Sequence, residues 1–117
     1  MLVVDDDPEF LAYVKEGLAP IDAVTARTPL DALWHLEHDD LRAILCDLCF
    51  GDVDGRHLLE VARDCRPELA RVLVTGFGNR LDGPNEQVFP AAQAVLHKPC
   101  DLSALSALLA LLAPSPT

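Results

Sequence analysis

Apolar residues along this chain fall into short continuous runs that alternate with longer stretches in which they recur at helical spacing. "LVVD" (2–5), a short apolar run with β-branched residues, "IDAVTA" (21–26), residues 42–47, "RVLVT" (71–75) and "AAQAVLH" (91–97) are short, mostly apolar runs, and each predicts a strand. Between them the period changes. "DPEFLAYVKEGLA" predicts a helix with Asp7 as N-cap and Pro8 at the first helical position. "TPLDALWHLEH" predicts a second, with Thr28 capping, Pro29 in the first turn and Asp31 completing a capping box. "GRHLLEVARDC" (55–65) predicts a third, closed by Pro67, and Asp101 caps a last helix that runs through Leu112. Where a helix is due between the fourth and fifth strands, "GFGNRLDGPNEQVFP" carries a Gly83-Pro84 break, so that element is expected to be short, displaced or partly loop.

Five alternations of strand and helix imply right-handed crossovers and a parallel sheet covered on both faces. The predicted architecture is therefore α/β, a doubly wound five-stranded parallel sheet in the order 2-1-3-4-5. Ligands of such sheets bind beyond the carboxyl ends of the strands, at the switch point. No repeat or low-complexity block interrupts the pattern. One domain over residues 1–113 is expected, with 114–117 as a tail or linker start.

Composition narrows the function. The chain has 117 residues, half of them hydrophobic and few of them aromatic, so one core of Leu, Val, Ile and Ala suffices. The formal charge is −10, with 19 acidic residues against 9 basic, which argues against nucleic acid or an anionic membrane as partner and for cations as ligands. The longest apolar tract, "LSALSALLALLA", is too short to span a bilayer, and no secretory signal opens the chain, so a cytoplasmic location is expected. Cys46 and Cys49 form a C-x-x-C around Asp47. With no second pair and no helix opening on it, neither a zinc ribbon nor a redox motif results, and all four cysteines (Cys46, Cys49, Cys65, Cys100) are read as reduced core residues.

The strand ends carry the chemistry. A buried strand that ends on a carboxylate, as "AILCD" does at Asp47, retains a charge where a neutral residue would be cheaper. The first strand ends in Asp5, Asp6 and Asp7, the fourth in Thr75, and the fifth in Lys98 followed by Pro99. The sheet order makes the first and third strands neighbours, so Asp5, Asp6 and Asp47 converge and repel one another unless a hard divalent ion, Mg²⁺ for preference, sits among them. Phosphoryl transfer needs a nucleophile, charge neutralisation and in-line geometry. Asp47 supplies the nucleophile, the metal and Lys98 the neutralisation, and the Thr75 hydroxyl a donor to a phosphoryl oxygen.

With these residues in place the sequence resembles the receiver domain of bacterial two-component response regulators, a flavodoxin-like, CheY-like fold. The resemblance rests on "VVDDDP" at 3–8, "CDLCFGDVDG" at 46–55, "RPELARVLVTG" at 66–76 and "HKP" at 97–99. It implies Asp47 as phosphoacceptor, Asp6 as direct metal ligand, Asp5 acting through water, and the backbone carbonyl of Cys49 as the remaining protein ligand. Thr75 takes the role of switch hydroxyl and Lys98 that of phosphate-facing lysine, with Lys98-Pro99 in cis. The phosphodonor would be a histidine kinase or histidine phosphotransfer domain, and "VTGFG" with "LHKP" resembles receivers fused to hybrid sensor kinases. Four positions depart from the family. Gly51 replaces a usual Pro, Val95 replaces the rotating aromatic, and Cys49 and Phe77 stand where polar residues often affect attack of water, so slow self-dephosphorylation is expected.

Other residues draw plainer readings. His35 and His38 sit one turn apart at a solvated helix end; His57 and His97 have no assigned role; Trp34 is expected to pack its helix on the sheet; Asp52 and Asp54 are loop acids. On the last helix Leu102, Leu105, Leu109 and Leu112 form one apolar face that Leu108 and Leu111 widen, which makes a homodimer through this helix conceivable. Two rival functions remain. A degenerate receiver would only bind partners. A haloacid-dehalogenase-like phosphatase would use Asp5 as nucleophile and leave Asp47 idle, but it wants a late acidic pair and a longer chain.

Overall fold

The computed structural model describes residues 1–18, 22–50, 53–76 and 91–112. Five strands form one sheet: β1 (Leu2–Val4), β2 (Val24–Ala26), β3 (Ala43–Asp47), β6 (Ala70–Thr75) and β7 (Ala94–His97). They pair in the order β2-β1-β3-β6-β7, every pair parallel, which is the predicted doubly wound order. Between them run α1 (Pro8–Gly17), α2 (Pro29–His38), α3 (Gly55–Cys65) and, last in the chain, α4 (Leu102–Leu112). The Gly83-Pro84 break and the element expected around it lie outside the described residues, as does the tail after Leu112.

The helix starts follow the caps in the sequence. The Asp7 carboxylate accepts the Glu9 N–H at 3.0 Å, the Thr28 hydroxyl accepts the Asp31 N–H at 3.2 Å, and the Asp101 carboxylate accepts the Ser103 N–H at 2.9 Å. Each bond satisfies a donor that the first helical turn leaves unpaired.

Alternation along the strands builds two cores. Leu2, Val4, Ile44, Cys46 and Leu73 face α2 and α3 and meet Ala32, Leu36, Leu58, Leu59 and Ala62. Val3, Leu45, Val72 and Val74 face the other way and meet Leu11 and Val14 of α1 with Leu105 and Leu109 of α4. All the central strands are buried on both faces, which is why they read as continuous apolar runs.

The structure corrects several expectations. β2 and β7 are shorter than the runs that predicted them, starting at Val24 and Ala94, although Ala23 and Ala91 ahead of them are buried. An unpredicted small antiparallel pair, β4 (Cys49–Phe50) with β5 (Val53–Asp54), follows shortly after Asp47. It inserts Phe50, 1% exposed, into the α2–α3 core. Asp54 is not merely a loop acid. It caps α3 through the Arg56 N–H at 2.9 Å and forks onto the Arg56 guanidinium, which holds its carboxyl below the usual range.

Trp34 does not pack on the sheet. Ala32 and Leu36 occupy the inner face of α2, and a residue two positions from each points away. Trp34 is 54% exposed and stacks on His38, ring centroids 4.4 Å apart. Cys46 and Cys100 are buried as expected, but Cys49 and Cys65 are exposed; all four are free thiols. On α4, Leu102, Leu108 and Leu112 lie partly buried against the core, while Leu111 stands exposed. No described helix is long and apolar enough to cross a membrane.

Candidate functional site

β1 and β3 are hydrogen-bonded neighbours, so the chain leaves both strands at the same edge of the sheet. There Asp5, Asp6 and Asp47 each present an oxygen, all within 4.8 Å of one another. Asp5 is fully buried and Asp47 nearly so, while Asp6 is exposed. Asp5 is held by two bonds: its Oδ1 accepts the Asp7 N–H at 3.0 Å and its Oδ2 accepts from Lys98 Nζ at 2.6 Å. The Asp47 backbone is equally fixed, because the Leu48 N–H donates to the Val74 carbonyl and the Gly55 N–H to the Leu48 carbonyl.

Only glycine fits at the start of α3. A Cβ on Gly55 would collide with the Asp47 carbonyl oxygen. The helix thus begins against the backbone of the acidic strand end and holds its carboxylate in the cleft.

Electrostatics follow from burial. Loss of water pushes the Asp47 carboxyl up to about 6; Asp5 and Asp6 add repulsion, and Lys98 and the Cys49 N–H oppose it. Beneath it, burial and the Asp47 charge keep the Cys46 thiol protonated. Asp47 Oδ1 is buried and has no hydrogen-bond partner among the described residues. An orphaned carboxylate oxygen beside two further carboxylates is a donor set for a hard cation that prefers oxygen.

Lys98 enters from the end of β7. Its Nζ lies 3.8 Å from Asp47 Oδ2 as well as 2.6 Å from Asp5 Oδ2, and its peptide bond to Pro99 is cis, as the resemblance implied. Thr75, 1% exposed, completes the row at the end of β6, but its hydroxyl is engaged: Oγ1 lies 2.8 Å from His97 Nδ1. His97 had no assigned role in the sequence. The available signal is strand register, since Thr75 and His97 are paired across β6 and β7 and alternation puts both on one face.

Two more residues were not foreseen. The Lys98 ammonium sits 4.3 Å over the centre of the Phe10 ring, and the Tyr13 hydroxyl donates to the Cys100 carbonyl at 3.0 Å. Val95 is partly buried against the α2–α3 core, where a rotating aromatic was expected to be missing. Elsewhere, His35 pairs with Asp39 at 2.5 Å, His38 Nδ1 donates to the Trp34 carbonyl, and His57 lies 3.8 Å from Glu60; none joins the acidic cleft. Gly51, Asp52 and Phe77 fall outside the described residues.

Comparison with known proteins agrees with this geometry. A family model described as the response regulator receiver domain matches residues 1–110. A search of curated proteins finds no significant match. Among solved structures, a CheY-like response regulator receiver domain protein from Methanospirillum hungatei JF-1 is 29% identical with a TM-score of 0.81, over 95% of this chain and 90% of that one. A CheY-like receiver domain from Methylobacillus flagellatus is 26% identical with a TM-score of 0.79, over 95% of each chain. The BeF3-activated DrrB receiver domain is 27% identical with a TM-score of 0.78, over 95% of this chain and 93% of that one. By the span of the family match and by its fold, this chain belongs to the response regulator receiver domain family.

Proposed function

We propose that Asp47 accepts a phosphoryl group, with Mg²⁺ held by Asp5, Asp6, Asp47 and the backbone carbonyl of Cys49, from a histidine kinase or histidine phosphotransfer domain. The observation that carries this reading is the meeting of three carboxylates and the Lys98 ammonium at one edge of the sheet. An Asp47 oxygen attacks phosphorus, the phosphorus–nitrogen bond of the donor phosphohistidine breaks, and the imidazole leaves. With its carboxyl at about 6, Asp47 is ionised and nucleophilic at neutral pH. Lys98 neutralises charge on the equatorial oxygens, and the Thr75 hydroxyl turns from His97 to donate to one of them. The bound cation supplies charge neutralisation at the carboxylates and the phosphoryl oxygens.

On this reading the receiver unit spans 1–113, with 114–117 as a tail, and works in the cytoplasm with its kinase. A homodimer through α4 would be built on the exposed Leu111; sedimentation of Leu111→Asp beside the parent reads whether it forms.

The decisive experiment incubates the protein with Mg²⁺ and acetyl phosphate and follows the intact mass. One phosphoryl group gained, and none in Asp47→Asn, is the expected result. No gain together with a preserved fold would leave a binding module. Continuous phosphate release dependent on Asp5 would point to a hydrolase. Beryllofluoride offers a second probe of the same site.

A further inference from the structure

A lysine in an acidic cleft is pulled toward whichever carboxylate is nearest, and Lys98 is shared unequally: 2.6 Å from Asp5 and 3.8 Å from Asp47. Asp5 is an unreliable anchor for this amine, because the same carboxylate belongs to the donor set for a cation. The third contact of the ammonium does not compete for that cation. It is the face of the Phe10 ring, 4.3 Å away at the centroid, and the negative face of an aromatic ring attracts an ammonium.

The ring is itself held in place. Phe10 is partly buried against the α1–α4 core and lies 6.5 Å from the Tyr13 ring, centroid to centroid. Tyr13 ties α1 to the turn after Lys98 through its bond to the Cys100 carbonyl. Farther along, Gly17 lets α1 approach α4 so closely that a Cβ there would strike Leu102. The N-terminus of α1 is capped by Asp7, whose N–H binds Asp5. One rigid helix therefore fixes both the acidic loop and the aromatic face that the lysine rests on.

We infer that Phe10 is a positioning residue for phosphoryl transfer, holding the Lys98 ammonium beside Asp47 through its ring face. This rests on the reading of Asp47 as phosphoacceptor. Three variants test it: Phe10→Leu keeps the apolar volume and removes the ring, Phe10→Met does the same should the first not fold, and Phe10→Tyr keeps the ring. Circular dichroism verifies folding, and the rate of mass gain from acetyl phosphate is the readout.

Phe10→Leu is expected to slow phosphorylation about three- to tenfold, and Phe10→Tyr to stay within about twofold of the parent. In a Lys98→Gln background, Phe10→Leu should add no further loss, because the ring acts only through the amine. Parent-like rates in Phe10→Leu, equal losses in the Leu and Tyr variants, or an undiminished loss in the Lys98→Gln background would each overturn the inference while leaving the acceptor reading intact. A parent protein that takes up no phosphoryl group would instead remove the acceptor reading, and this inference with it.

Discussion

Asp47 sets the terms at the scale of single residues. Burial raises its carboxyl to about 6, so the folded metal-free domain holds that proton more tightly than the unfolded chain does. The sign follows: the contribution to stability is complete at pH below the ordinary carboxylate range and is lost as pH rises through about 6. At neutral pH the ionised group therefore costs the fold about 3 kcal/mol relative to a carboxyl with the ordinary value. Asp47→Asn cannot ionise, so in chelator its urea midpoint should exceed the parent's at neutral pH, and the gap should close in acid. Cys49 supports a second expectation. On the proposed reading, a thiol at this exposed position is a weaker partner for a hydrolytic water than an amide, so Cys49→Asn should shorten the lifetime of the phosphorylated protein on the order of tenfold, followed by the decay of the mass gain. The acidic residues were legible because each ends an apolar run. Phe10 and His97 were not, because ring-to-amine and hydroxyl-to-imidazole contacts join residues far apart in the chain, and nothing in their local pattern marks them.

The elements were legible in proportion to their length. α1, α2, α3 and α4 each carry a full helical period, and the starts of α1, α2 and α4 fall where Asp7, Thr28 and Asp101 place them, whereas the Asp54 cap of α3 was read as a loop acid. β4 and β5 have two residues each, too few for any period to show, and the burial of Phe50 that draws them together is a tertiary contact. Trp34 was misread because a large aromatic was assigned to the core ahead of helical phase, although Ala32 and Leu36 already fill the inner face. The join between β5 and α3 has no room for a Cβ. A Cβ at Gly55 meets backbone, which cannot move as a flexible side chain can, so Gly55→Ala should destabilise the domain by about 1 to 3 kcal/mol in urea unfolding. Because that backbone carries Asp47, the same variant should also slow phosphorylation, whereas Val61→Ala on the exposed side of α3 should change neither measurably.

At the scale of the whole molecule, strand order was the most secure inference, since right-handed crossovers leave few ways to place five parallel strands. That order is what brings β1 and β3 together and concentrates part of a net charge of −10 at one edge. On the proposed reading a divalent cation stabilises the fold in two ways: diffusely, by screening the summed charge, and locally, by binding the cluster. The two separate by experiment. Screening depends on ionic strength and is indifferent to one carboxylate, whereas site binding follows mass action and adds about 1.4 kcal/mol when the free ion is at tenfold its dissociation constant. Thermal unfolding in Mg²⁺ against Na⁺ at matched ionic strength should therefore show an extra rise in Tm for the parent. Most of that rise should vanish in Asp6→Asn, whose side chain is exposed and whose replacement leaves the core untouched. An equal rise in both proteins would assign the effect to screening and deny the three carboxylates a bound ion.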